Sequence, residues 1–170
     1  DGGLTWACTR MRIDSGFPFL VDPELVFDTQ GNVQLVYMAA FGPGGNSIRV
    51  RRSIDGGVTF GKPTAISLDP GDDKPKAAVC RAPVAHQGRL VVTWMRGDAA
   101  LNPREILAAF SDDQGKSWSA PVTVNEVDAS GGREAFAADV AFASDGDLFV
   151  MWQDQAPREV WCDRSADGGV

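Results

Sequence analysis

Side chains that commonly carry chemistry are scarce in this chain: one histidine, one tyrosine and three cysteines among 170 residues. Cys8, Cys80 and Cys162 lie far apart, with no Cys-x-x-Cys pair and no partnering histidine. Neither a disulfide framework nor a zinc site is supported, and no metal or cofactor is expected. His86 stands alone at a predicted hairpin tip, where a histidine is ordinarily an exposed turn residue. No run of about 18 apolar residues is present to span a membrane. Basic residues are outnumbered, 16 against 23 acidic ones, for a net charge of −7. Such a surface argues against a nucleic-acid partner, whose phosphates need a basic face. The glycine cluster from Gly42 to Gly45 lacks the Lys-Ser/Thr pair and following helix of a phosphate-cradling loop. A 3.6-residue periodicity of helical length is missing as well.

What is present is repetition. One phrase occurs four times: Asp1-Gly2-Gly3-Leu4-Thr5-Trp6, then Ser53 to Phe60, Ser111 to Trp118, and Ser165 to Val170. Its central aspartates are Asp1, Asp55, Asp113 and Asp167, at spacings of 55 − 1 = 54, 113 − 55 = 58 and 167 − 113 = 54. A near-constant period of this size signals a repeat architecture. Upstream of each later copy, residues 31–39, 88–96 and 146–154 begin with a Gly turn and read as strands, with Tyr37, Trp94 and Trp152 at matching positions. Shorter apolar pieces precede them at 24–28, 82–85 and 138–142. Third strands follow at 47–52, 105–110 and 159–164, and fourth strands leave the phrase at 59–67 and 117–125. Gly, Asn and Asp fill the hairpin-sized gaps.

Four short strands per unit make β-propeller blades, so the fold class is all-β with four-stranded antiparallel blades. The expected division is an orphan fourth strand in 1–13, a full blade in 14–68, a second in 69–126, and three strands of a last blade in 127–170. Within the phrase, Asp and Gly suit a tight turn, Asp by bonding nearby backbone N–H groups and Gly by supplying positive φ. The repeated aspartates are therefore structural; no twelve-residue calcium loop with a terminal Glu surrounds them.

The phrase Ser-x-Asp-x-Gly-x-Thr-Trp resembles the Asp-box of sialidases and of several other propellers; Phe60 stands for its Trp and Ser117 for its Thr in the two complete copies. The resemblance implies that these turns join third to fourth strands on the face opposite the substrate site. The site would then draw on the loops at 14–22, 41–46, 69–81, 96–105, 125–134 and 153–158. Cys80-Arg81-Ala82-Pro83, followed by Gly88 and then Arg96-Gly97-Asp98, looks like the first catalytic blade of sialidases. On that likeness Arg81 would grip a substrate carboxylate, as a planar guanidinium fork can. Arg96 would line the same pocket, and Asp98 would be the general acid/base. Arg133-Glu134 is a looser carboxylate–arginine candidate, and Asp98 with Glu134 could form the paired carboxylates that Asp-box glucanases use.

Sialidases use a tyrosine nucleophile, whereas Tyr37 sits in mid-strand where Trp94 and Trp152 stand in the other units. The expected function is accordingly a sialidase-like half-propeller that is catalytically silent by itself. The alternatives are a glycoside hydrolase fragment, with a pocket completed by a partner or further blades, and a carbohydrate- or protein-binding propeller module. Relatives of this kind are often exported, implying an extracellular or periplasmic setting.

Three blades leave two apolar flanks uncovered, and two copies would make six. The expected partner is a second copy in a head-to-tail homodimer, each orphan strand completing the other chain's last blade under two-fold symmetry. If that hairpin is symmetric about its turn, Cys8 of one copy comes opposite Cys162 of the other.

Overall fold

The computed structural model describes residues 4–11, 14–42, 44–97, 104–125, 134–155 and 158–169. Eleven strands and no helix form among them. In the first sheet β1 (Phe19–Phe27), β2 (Val33–Gly42), β3 (Gly45–Ser53) and β4 (Thr64–Ser67) pair in chain order. The second repeats this with β5 (Asp72–Val79), β6 (Leu90–Arg96), β7 (Glu105–Ser111) and β8 (Val122–Thr123). The third holds β9 (Ala135–Phe142), β10 (Leu148–Asp154) and β11 (Glu159–Ser165). All pairings are antiparallel, as short connections between neighbours require. Residues 4–11, expected to be an orphan fourth strand, belong to no sheet.

The sheets stack face to face, and their first strands β1, β5 and β9 run beside one another. Val36, Met38, Ile48 and Val50 of the first sheet pack on Val92, Trp94 and Leu107 of the second. From the second sheet's other face Val91, Met95 and Ile106 pack on Val140, Val150 and Trp152 of the third. Being covered on both faces, β6 is buried at every residue from Leu90 to Met95, which is why that stretch is apolar almost throughout rather than alternating. Trp94 faces the first sheet and Trp152 the second. Among the described residues no sheet lies beside the matching face of the first sheet. There Tyr37 is buried under Asp14, donating a hydrogen bond to its carboxylate at 2.8 Å and accepting one from Arg51 at 3.1 Å.

Each repeated turn is closed by its own side chains. In the Ser53 copy the hydroxyl donates to Asp55 at 2.7 Å and accepts from the Gly57 N–H at 2.8 Å. Asp55 then accepts from the Thr59 hydroxyl and N–H. Ser111, Asp113, Gly115 and Ser117 reproduce the set, and Ser165, Asp167 and Gly169 its first half. Positive φ at Gly57, Gly115 and Gly169 makes glycine the residue for that step.

One strand lies elsewhere than the spacing predicts. Residues 82–85, expected to be the first strand of the second unit, form bends and a turn, and the strand is β5, upstream at 72–79. Pro75 and four charged residues disguise it. The ladder to β6 breaks between Asp73 and Lys76, so the N–H that Pro75 lacks falls in a bulge. The same break spans Pro23 in β1, between Val21 and Glu24. A third occurs in β9, between Phe136 and Asp139.

Candidate active site

Strand direction sorts the predicted site residues onto two edges. Leu90 pairs with Val79 and with Ser111, so the β5–β6 hairpin lies on the edge that carries the repeated turn. Arg96 pairs with Asp72 and with Glu105, at the other end of the same strands. Arg81, two residues beyond β5, is exposed at the turn edge and donates to the Phe27 carbonyl at 2.8 Å. The structure thus separates Arg81 from Arg96 by the length of β6, about 20 Å at a strand's rise per residue. The cause is the displaced first strand. With 72–79 as β5, the Cys80-Arg81-Ala82-Pro83 phrase falls after a first strand and not before one.

Arg96 and Glu134 do share an edge. Arg96 donates through Nε to Asp72 at 2.8 Å and through Nη2 to the Ser67 hydroxyl at 3.0 Å. The Asp72 carboxylate is completely buried and also accepts from Trp94 Nε1 at 2.9 Å. Arg96 is therefore the countercharge of a buried acid. Glu134 forms a parallel bridge with Arg104, and its N–H donates to Asp154 at 3.0 Å. Asp98 and Arg133 lie outside the described residues.

The arrangement with chemical potential lies on this same edge, at the bulges of the inner strands. Asp22, Lys74 and Ala137 occupy corresponding bulge positions with φ of 49°, 54° and 51°. A left-handed backbone at three non-glycine residues is costly, and strain of this kind clusters at functional sites. The bulges surround a cavity of about 510 Å³ lined by Asp22, Lys74, Lys76 and Asp139 with the prolines and alanines between them. Its charges alternate from blade to blade. Lys76 of β5 donates to Glu24 of β1 at 2.9 Å, and its ammonium is further held charged by Asp139 of β9 and by Asp22.

Asp73 adjoins the cavity. Burial holds its pKa above the usual carboxylate value, and the neighbouring Asp22 carboxylate pushes the same way; Lys74, with Nζ at 3.8 Å, opposes them only in part. Both effects favour the protonated form of Asp73. Phe136 of β9 closes the side, with Lys74 Nζ 5.3 Å and Arg104 Cζ 5.6 Å from its ring centroid. Among the described residues no cluster of histidine, cysteine and carboxylates could hold a metal ion.

Asp22 and Asp73 fall in the 14–22 and 69–81 loops, where sequence alone assigns them no role. The available signal was Asp22-Pro23 and Lys74-Pro75 at matching points of two repeats. A proline inside a strand pattern marks an edge or a bulge. Tyr37, which the implied sialidase chemistry would need as nucleophile, is fixed instead: burial first, and its bond to Asp14 in addition, push its hydroxyl up to about 12.

No family model matches the chain, and no curated protein does. Solved structures are similar in fold. The Hadza microbial sialidase Hz136 is 18% identical with a TM-score of 0.66, over 91% of this chain and 36% of its own. The intramolecular trans-sialidase from Ruminococcus gnavus is 13% identical with a TM-score of 0.66, over 99% and 37%. The α-L-arabinofuranosidase Arb93A from Fusarium graminearum is 15% identical with a TM-score of 0.64, over 88% and 46%. The chain spans between about a third and a half of these proteins. At such identities the likeness concerns the fold: three antiparallel sheets arranged as in β-propeller glycoside hydrolases.

Proposed function

We propose that the chain supplies three blades of a glycoside hydrolase propeller, with its carbohydrate cleft at the strand ends opposite the repeated turns. The observation that carries this reading is the Asp22–Asp73 pair beside a polar cavity on the inner strands. Glycoside hydrolysis needs a carboxylic acid that stays protonated to hand its proton to the departing glycosidic oxygen as the C–O bond breaks. Asp73 is assigned that role, and Asp22 raises its proton affinity. Lys74 and Phe136 bound the cleft with an ammonium and a ring face, groups suited to sugar hydroxyls and apolar sugar faces. Glu134 and Arg104, at the same strand ends, are the candidate second carboxylate and its arginine. The closed Ser–Asp–Gly turns support an Asp-box propeller of the sialidase type.

The test is a panel of chromogenic sialosides and arabinosides, with binding of the corresponding free sugars followed by calorimetry. Hydrolysis that falls on the order of 100-fold in Asp73→Asn, with sugar binding retained, supports the assignment. Sugar binding without hydrolysis favours the silent-propeller reading, which the immobilised Tyr37 also supports. Neither hydrolysis nor binding across the panel overturns the cleft.

A further inference from the structure

The first sheet carries a pair of aromatic rings that the repeat does not ask for. Phe19 opens β1 and Phe41 stands next to the end of β2, both on the edge opposite the repeated turns. Their rings meet edge to face, with centroids 5.9 Å apart and planes at 86°, and the residues are 56% and 73% exposed. Counting from the bulge residues Asp22, Lys74 and Ala137, Phe19 corresponds to Gly71 and Glu134 of the other units. Counting from Gly31, Gly88 and Gly146, Phe41 corresponds to Asp98 and Ala156. A ring needed to build a blade would recur, as Trp94 and Trp152 do. These do not.

Backbone strain brings the two rings together. Phe19 pairs with Ala40, and Ala40 packs in the core between the first and second sheets, so Phe19 sits on that face. Strand alternation would put Phe41 on the opposite face, with Tyr37. Instead the β2–β3 ladder breaks between Ala39 and Gly42, and Phe41 takes a left-handed φ of 58°. For a bulky residue this conformation is costly. It carries the ring across to Phe19, on the side of the second sheet.

Neighbouring groups hold the strained segment and tie it to the bulge cavity. Phe17 lies against Gly42, where a Cβ would sit 2.4 Å from its Cε1. Gly45 meets Pro70 in the same way, its Cβ position 2.3 Å from the proline Cβ. The Asn46 side chain accepts from the Phe41 N–H at 3.3 Å and donates to the Asp72 carbonyl at 3.1 Å. One amide thus links the ring-bearing residue to the neighbour of Asp73. Along β1, Phe19 precedes Asp22 by about 10 Å at a strand's rise per residue. That is the reach of linked sugar residues and not of one.

We propose that Phe19 and Phe41 form a second sugar subsite, a platform for the apolar face of a neutral β-linked pyranose, while the cavity beside Asp22 and Asp73 receives further residues of the same oligosaccharide. The rings carry no charge and reward C–H surface, which a pyranose with equatorial hydroxyls presents on its faces. The proposal rests on the reading of the cavity as a carbohydrate cleft.

Calorimetric titration with cellotriose and with glucose is the test, because it reads binding apart from hydrolysis. Cellotriose should bind the parent more tightly than glucose. Phe19→Ala and Phe41→Gly should each weaken cellotriose about 10-fold, the loss of one aromatic contact, and Phe41→Trp should retain it. Glycine adopts a φ of 58° freely, so Phe41→Gly should melt within about 2 °C of the parent, and its lost binding then reads the ring and not the fold. Phe27→Ala removes an exposed ring from the other end of β1 and should leave binding unchanged. No cellotriose binding by the parent, equal affinity for glucose, or equal weakening by Phe27→Ala overturns the proposal. Cellotriose held through the two rings by a chain that hydrolyses no glycoside removes the role of Asp73 and leaves the platform standing. Hydrolysis dependent on Asp73, with cellotriose binding unchanged in Phe19→Ala and Phe41→Gly, removes the platform alone.

Discussion

Replacing Arg96 with methionine separates a structural role from a catalytic one. The Asp72 carboxylate has no exposed side-chain surface, and its partners are Trp94 Nε1 and Arg96 Nε. Methionine keeps much of the arginine's apolar stem but leaves that carboxylate without its countercharge. Breaking a buried ion pair from one side costs about 3–5 kcal/mol, because the stranded charge keeps its desolvation penalty. A chain of this size loses roughly 2–4 °C of Tm per kcal/mol, so the melting point should fall by about 10 °C. Asp72→Asn retains an acceptor for Trp94 and leaves the part-exposed Arg96 with Asp69, 3.5 Å from its Nε, and the Ser67 hydroxyl, at a cost of about 1–2 kcal/mol. The double variant Asp72→Asn, Arg96→Met should therefore be more stable than Arg96→Met alone, and the cycle strongly non-additive. Arg81→Met, which removes one exposed hydrogen bond, should move the midpoint by less than about 1 kcal/mol. Thermal and urea melts of the parent and the four variants decide the matter. A loss below about 1 kcal/mol for Arg96→Met, or additive single changes, would refute the view of Arg96 as a countercharge.

Acid should loosen the repeated turns. Hydrogen bonds from Thr59 hold Asp55 at about 2, and those from Ser117 outweigh burial to hold Asp113 at about 2, against an ordinary 3.8. Their contribution is complete above pH 4 and is lost as pH falls toward 2, so the urea midpoint should drop over that interval, and less so in a variant with both replaced by Asn. Ser111→Ala removes a donor to Asp113 and an acceptor for Gly115 in a buried turn, and should cost about 1–2 kcal/mol by thermal melting. Gly146→Ala combines a φ of +96° with a Cβ placed 2.7 Å from Val84 Cγ2, and should destabilise by about 2–3 kcal/mol. Asp73 has the opposite linkage to the turn aspartates. Its raised pKa favours the folded state below 3.8, and that advantage is lost as pH rises through the folded value. Asp73→Asn should thus be more stable than the parent at pH 7 and lose that margin by pH 4.

The repeat was plain in the sequence because turn chemistry is local. Ser53, Asp55, Gly57 and Thr59 bond to one another within seven residues, and each must recur wherever the hairpin does. The second and third strands were legible for a related reason, since Tyr37, Trp94 and Trp152 recur at one register position. The first strand of the second unit was not. Lys74-Pro75-Lys76 reads as a loop, and only the break in the β5–β6 ladder reconciles a proline and two lysines with a strand. Misplacing that strand reversed the edge assigned to Arg81, because in an antiparallel sheet each successive strand end changes sides. The pairing of Arg96 with Asp72 joins residues 24 apart, and nothing in their local sequence announces it.

The two edges of the blades are built on different terms, which locates the function. At the turn edge the turn charges Asp55 and Asp113 are answered by their own turns, and Arg89 by Asp112 together with the carbonyls of Asp167 and Gly168. His86 reaches the Gly146 carbonyl at 2.8 Å, so this edge also ties the second sheet to the third. At the other edge the bulges place Asp22, Lys74 and Asp139 around shared open space, with Asp73 beside them, where the Asp22 and Asp73 carboxylates oppose one another. A fold stabilised only for its own sake would not hold Asp22 and Asp73 together in left-handed or half-buried backbone. Natural chains tolerate such local cost where a site requires it, at the expense of stability that the rest of the fold provides. A gain in stability for Asp73→Asn at pH 7, accompanied by loss of sugar hydrolysis, would display that trade in a single variant; a loss of both would make Asp73 a structural residue after all.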